Sequence, residues 1–432
     1  MNRRIDRTPS RFSLALLSLV LFCIGCSGSS EPLAPEDAGP PVRDADDADV
    51  STSPDAGLVD CLEDNSPESV AERDGFLEVC VDRERFPEAV CGDGSTYRFT
   101  HRPAEAASEG LLLYFRGGGF CNDYVSCWGR DGMGGAGRRV GTMANDENLS
   151  PLVVPSLGRT VGIFDREDPA ALFARFDVVH VAYCTGDLGA GAERVELARP
   201  ADADPDAPSS IPTFFHGTYD VAAALALVAE EYPAPARLVV YGSSAGSYSS
   251  ARALSEVLRT FPDTDDVIWI GDGGAGVGRT VDDLEANLER FDGDRDRLVR
   301  FAQLSFQSDA MQVDFLPAGF GGEPEFRAGL RELFEARRAA APDRYRFFAP
   351  SGSCHTLAQS VALHQQFATV DGRFGPVLPE VRPNPDLTLD GVAVDAWLDV
   401  VVRGSGPYGS DVASHAADWT TPRLDCPIEA MR

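Results

Sequence analysis

Val239-Val240-Tyr241-Gly242-Ser243-Ser244-Ala245-Gly246-Ser247 is a β-branched run that breaks into two glycines flanking a serine. That is the G-x-S-x-G spacing of a nucleophile elbow, in which a strand ends in a sharp turn and a helix begins at once. The turn strains the serine backbone, and the flanking positions must be small so that the helix can pack close. Ser244 then stands exposed above the end of the strand. The pattern alone is common; its surroundings give it weight. Residues 237–241 are short, apolar and β-prone, whereas residues 249–261 carry Ala251, Leu254, Val257 and Leu258 at helical spacing. Strand, tight turn and helix is the context the pattern requires.

Working outward, short buried strands alternate with helices. Strands are expected at 96–101, 111–115, 176–183, 266–270, 301–306 and 345–348. Helices are expected at 217–231, 281–291, 324–340 and 356–367. This alternation implies a mostly parallel sheet with helices on both faces. In such a sheet the chemistry sits at the carboxyl ends of the strands, where the loops converge. Two such loops supply partners for Ser244. Ser308-Asp309 follows one strand, and Ser351-Gly352-Ser353-Cys354-His355 follows another. Ser244, Asp309 and His355 therefore occur in the chain order of α/β-hydrolases, which is the expected fold class, here stapled by disulfides. Asp272, in Ile270-Gly271-Asp272-Gly273, also follows a strand and is the rival acid; its other reading is a turn or helix-cap residue. His101 and His180 fall on strands and read as packed core or surface residues, while His216 and His415 fall in less defined segments that can line the cleft.

Gly117-Gly118-Gly119 follows the buried strand 111–115. Glycine lets backbone N–H groups approach a developing oxyanion with no side chain in the way, so Gly118, Gly119 and Ala245 are the candidate oxyanion donors. Phe120, Trp128 and His216 are the candidate substrate contacts.

The 432-residue chain has a formal charge of −30, and no basic stripe is visible, which argues against a nucleic-acid surface. Residues 1–26 read as an export signal, with Arg3, Arg4, Arg7 and Arg11 preceding an apolar core that ends in Gly25-Cys26. Phe22-Cys23-Ile24-Gly25-Cys26 resembles a bacterial lipoprotein box, which makes Cys26 a lipidation site and confines membrane attachment to that anchor. An ordinary cleaved secretion signal is the alternative. Residues 27–60 hold nine acidic residues against Arg43 alone and cannot build a core, so they read as a disordered tether. Its flexible reach is roughly 30 Å. The catalytic domain is expected over 61–432, extracytoplasmic and monomeric.

Of ten cysteines, Cys23 and Cys26 belong to the signal, leaving an even set of eight. Among these eight there is no C-x-x-C pair, and there are no paired histidines, so disulfides are preferred over a metal site. Cys121 and Cys127 would close a small loop beside the oxyanion turn.

Five stretches together resemble the pectin acetylesterase family, which also contains the Notum deacylases. They are Tyr114-Phe115-Arg116-Gly117-Gly118-Gly119-Phe120-Cys121, Tyr183-Cys184-Thr185-Gly186-Asp187, the elbow, Asp309-Ala310-Met311-Gln312 and Ser353-Cys354-His355. Cys91-Gly92-Asp93-Gly94-Ser95 is similar to the opening of the family domain. The resemblance implies Ser244 as nucleophile, Asp309 as acid and His355 as base, with no cofactor, and a Cys354–Cys426 disulfide. Cys91–Cys184 and Cys61–Cys80 complete the expected pairing. Phe120, Ser243 and Ser247 replace the family's usual Trp, Cys and Gly, which makes this a remote member. The implied activity is hydrolysis of O-acyl groups, acetyl above all, on an extracellular substrate such as a polysaccharide. Removal of a long lipid acyl chain, peptide hydrolysis and a non-catalytic binding module are the alternatives.

Overall fold

Nine strands hydrogen-bond into one sheet whose middle is parallel and whose one edge is antiparallel. The computed structural model describes residues 75–128, 153–154, 159–160, 162–201, 208–274, 276–277, 297–315, 322–357, 369–370, 373–374, 388–409 and 412–420. Cys26, the tether 27–60 and the expected helix at 281–291 lie outside them, as does nearly all of the helix expected at 356–367.

The sheet strands are β1 (Leu77–Cys80), β2 (Arg98–Arg102), β3 (Leu111–Phe115), β4 (Asp177–Val181), β7 (Leu238–Ser243), β8 (Asp266–Asp272), β9 (Leu298–Leu304), β10 (Tyr345–Ala349) and β11 (His415–Ala416). A separate antiparallel hairpin is formed by β5 (Glu193–Ala198) and β6 (Ser210–Phe215). The spatial order is β1-β2-β4-β3-β7-β8-β9-β10-β11, with β7 in the middle. Among the described residues the helices are α1 (Tyr124–Trp128), α2 (Gly217–Glu231), α3 (Ala245–Thr260), α4 (Ala310–Phe315), α5 (Glu323–Ala340) and α6 (Val394–Arg403).

Every residue of β3 and β7 is buried, so these strands read as unbroken apolar runs. The pleat still sorts them. Leu111, Leu113, Phe115, Leu238 and Val240 face α2, α3 and α5 together with Leu225, Leu254, Val257, Phe326 and Phe334. Leu112, Tyr114, Val239 and Tyr241 face the other way, toward Phe164, Phe173, Trp397, Leu398 and Val401. Each such side chain, fully buried, contributes about 1.5–3 kcal/mol. The two layers together fix the sheet, and with it the loops at its carboxyl edge.

The expected strands and the helices 217–231 and 324–340 are present within a few residues. The helix after the elbow begins at Ala245 rather than 249, because Gly-Ser-rich residues 245–250 are packed against the sheet and buried. The β5–β6 hairpin and α6 were not expected from the sequence.

Candidate active site

Ser244 is half-buried between buried neighbours, at φ 54° and ψ −125°. This is a left-handed backbone that a non-glycine residue adopts at a cost, typically of order 1–3 kcal/mol. The cost is sustained because the surroundings leave no alternative. A Cβ on Gly246 would stand 2.1 Å from the Phe115 carbonyl oxygen, and one on Gly242 would stand 2.3 Å from the Gly246 oxygen. The elbow glycines are thus required by contact between β7, β3 and α3. The Ser244 amide donates to the Asp272 carbonyl at 2.7 Å, which fixes the turn to the next strand.

Asp309 lies beyond β9 and is fully buried. It caps α4: the Gln312 amide donates to Oδ1 at 3.1 Å and the Gln312 side-chain amide to Oδ2 at 2.8 Å. His355 lies beyond β10. Its loop is bonded to the acid loop on both sides of Asp309, Ser308 N to Gly352 O at 3.0 Å and Ala310 N to Ser353 O at 3.1 Å. His355 Nδ1 meets Asp309 Oδ2 at 2.8 Å and Oδ1 at 3.0 Å, and Nε2 meets Ser244 Oγ at 2.7 Å. An ionised carboxylate only accepts, so Nδ1 carries the proton and Nε2 presents a lone pair to the serine hydroxyl. Burial alone would lower the His355 pKa; the Asp309 charge and hydrogen bond, with the Asp272 charge, outweigh it and leave the pKa raised.

Across from Ser244, residues 117–120 follow β3 and are half-buried. Tyr183 donates its hydroxyl to the Gly119 carbonyl at 3.0 Å and accepts the Leu188 amide at 2.9 Å, which pins the turn by its carbonyl. Among the described residues the amides of Gly118, Gly119 and Ala245 have no internal acceptor. Arg116 is buried beneath the turn, and burial lowers its pKa to about 10.

Phe120 is half-buried in the turn, and Trp128 closes α1. His216 precedes α2, with Nδ1 on the Glu88 carbonyl at 2.7 Å and its ring against Phe214 and Tyr219. His415 pairs with Phe348 in the sheet and bonds Asp390 at 3.1 Å. His101 and His180 are buried on β2 and β4. Cys91–Cys184 and Cys121–Cys127 are bonded as expected. Cys80 and Cys354 are also in disulfides, with partners outside the described residues.

Two residues that hold the site, Gln312 and Tyr183, are not marked out by the strand pattern. Gln312 stands three after Asp309, and Asp-x-x-Gln before a helix is a capping-box spacing that would have found it. Tyr183 carries no comparable local signal, because its bond is to a loop 64 residues away.

Residues 77–291 match the family model of the pectinacetylesterases. Over this span the chain belongs to the pectinacetylesterase family. The family is one of carboxylic ester hydrolases. Its match takes in the oxyanion turn and Ser244 but ends before Asp309 and His355, so the acid and base rest on the geometry above. Among solved structures, that of the Wnt deacylase Notum from Drosophila is 17% identical, with a TM-score of 0.44, covering 73% of this chain and 89% of that one. Among curated proteins no match is found.

Proposed function

We propose that the protein is an exported serine esterase that removes O-acetyl groups from an extracellular polysaccharide. The observation that carries this is the continuous line of hydrogen bonds from Ser244 through His355 to Asp309. Ser244 Oγ attacks the acyl carbonyl carbon while its proton passes to His355 Nε2. Asp309 holds the ring and stabilises the imidazolium that forms. The tetrahedral oxyanion faces the amides of Gly118, Gly119 and Ala245, each such donor being worth about 10²–10³ in rate. Collapse breaks the bond to the alcohol oxygen, which takes the proton from His355 and leaves. Water then attacks the acyl-serine, His355 takes its proton, and acetate is released with Ser244 restored.

Acetyl is favoured over a long chain because a lipid acyl group needs a deep apolar tunnel and an apolar roof. Residues 131–139, which follow the oxyanion turn, are Asp-Gly-Met-Gly-Gly-Ala-Gly-Arg-Arg, glycine-rich and charged. Export is supported by the basic and apolar start of the chain and by its disulfides.

The test is a series of p-nitrophenyl esters. Each buried methylene contributes about 0.8 kcal/mol, so a lipid deacylase would gain steeply with chain length. For this protein kcat/KM is expected to be highest for acetate and to fall by octanoate. A rise from acetate to octanoate would replace the acetylesterase by a lipid deacylase.

A further inference from the structure

Asp272 ends β8 next to the nucleophile strand and is completely buried. Its carboxylate accepts the Tyr241 hydroxyl on Oδ2 at 2.7 Å and the Leu357 amide on Oδ1 at 2.6 Å. Its main-chain carbonyl accepts the Ser244 amide at 2.7 Å. One residue therefore holds both strained segments of the site. Ser244 has φ 54°, and Thr356, between His355 and Leu357, has φ 59°. For a β-branched side chain that backbone is a true outlier, kept only where neighbours over-determine it. Here the neighbours are visible: the Leu357 amide is anchored on Asp272, and Thr356 lies against Gly273, where a Cβ would stand 2.8 Å from Thr356 Cγ2.

Asp272 makes no bond to the imidazole, which Asp309 already holds. Its effect on His355 is through the loop and through its charge. We propose that Asp272 is a positioning residue, whose carboxylate fixes the histidine loop through Leu357 and adds a second negative charge that favours the imidazolium during proton transfer from Ser244. The proposal rests on the Ser244–His355–Asp309 reading. Among the described residues, the groups that face His355 are Asp309 from the loop after β9, Asp272 from the end of β8 and Ser244 from the end of β7. Asp272 in turn faces the Tyr241 hydroxyl of β7, which burial keeps protonated and so a donor.

A buried aspartate that serves only as a structural peg predicts something different, and the asparagine variant separates the two. In Asp272→Asn the side-chain oxygen can still accept the Leu357 amide while its NH₂ donates to the Tyr241 oxygen, so these two contacts survive and the charge goes. We expect the acid limb of kcat/KM to move to lower pH and kcat to fall about tenfold with KM little changed. Asp272→Ser, also neutral, is expected to move the limb the same way and serves if the asparagine variant does not fold. Tyr241→Phe, which leaves the carboxylate in place, is expected to keep the wild-type limb. An unchanged limb with kcat within about twofold of wild type in the folded neutral variants would overturn the proposal. Failure of the underlying reading is read separately, from Ser244→Ala: a variant that still hydrolyses the ester defeats the triad, whatever Asp272 does.

Discussion

At Ser244 the backbone strain and the hydrogen bond to His355 are two sides of one device: the turn that costs stability also aims Oγ at Nε2. Asp309→Asn keeps the volume but lets the amide present a donor to Nδ1, which places the proton on the wrong nitrogen. We expect kcat to fall by about four orders of magnitude, with the fold retained by circular dichroism. His355 must be neutral to accept the proton, so activity falls as pH drops through its pKa. Because that pKa is raised, the midpoint of the acid limb of kcat/KM is expected above the ordinary histidine value of 6.5. A midpoint below it, in a pH–rate profile at saturating stability, would contradict the electrostatics described here. Ser244, Asp309 and His355 were legible in the sequence because each follows a strand whose apolar pattern is plain. The bonds that hold them were less so. Gln312 is marked only by its spacing from Asp309, and the Tyr183 and Asp272 contacts join segments far apart in the chain, which no local periodicity encodes.

The element that matters most is the elbow, where β7, β3 and α3 meet without side chains between them. Gly246→Ala would drive a methyl into the Phe115 carbonyl, and backbone cannot step aside as a flexible side chain can. Denaturant titration should show a loss of about 3 kcal/mol, with activity falling as well. The two described disulfides differ in what they close. Cys91–Cys184 spans a sequence separation of 93 and Cys121–Cys127 one of 6. Loop-entropy arguments give about 4–5 kcal/mol for the first and about 2 for the second, so replacing the first pair by serine should lower the unfolding free energy by the larger amount. Equal losses would point to native-state effects in place of chain entropy. The parallel strands were readable because they are buried on both faces. The β5–β6 hairpin was not: Glu193-Arg194-Val195-Glu196-Leu197-Ala198 alternates between half-buried and exposed residues and looks like a polar connection until its partner strand is in place.

Over the whole molecule, acid is the condition expected to test stability most. His101 lies buried in β2 against Tyr232, and burial drives its pKa down to about 4. Between pH 6.5 and that value the unfolded chain binds a proton that the folded protein does not, so stability falls as pH drops through this window. The loss from this residue approaches about 3 kcal/mol, and His101→Gln should show a pH dependence weaker by that amount in urea titrations at pH 7 and pH 4. A variant that keeps the full wild-type dependence would place the acid sensitivity elsewhere. The central claim, that one serine among those of this chain is the nucleophile, is tested most directly by mass spectrometry of the intact protein after reaction with a fluorophosphonate, with the adduct then mapped to a peptide. One adduct is expected, on Ser244, absent from Ser244→Ala and formed orders of magnitude more slowly in His355→Ala. An adduct on another residue with Ser244 unmodified, or equal labelling of wild type and Ser244→Ala, would contradict it.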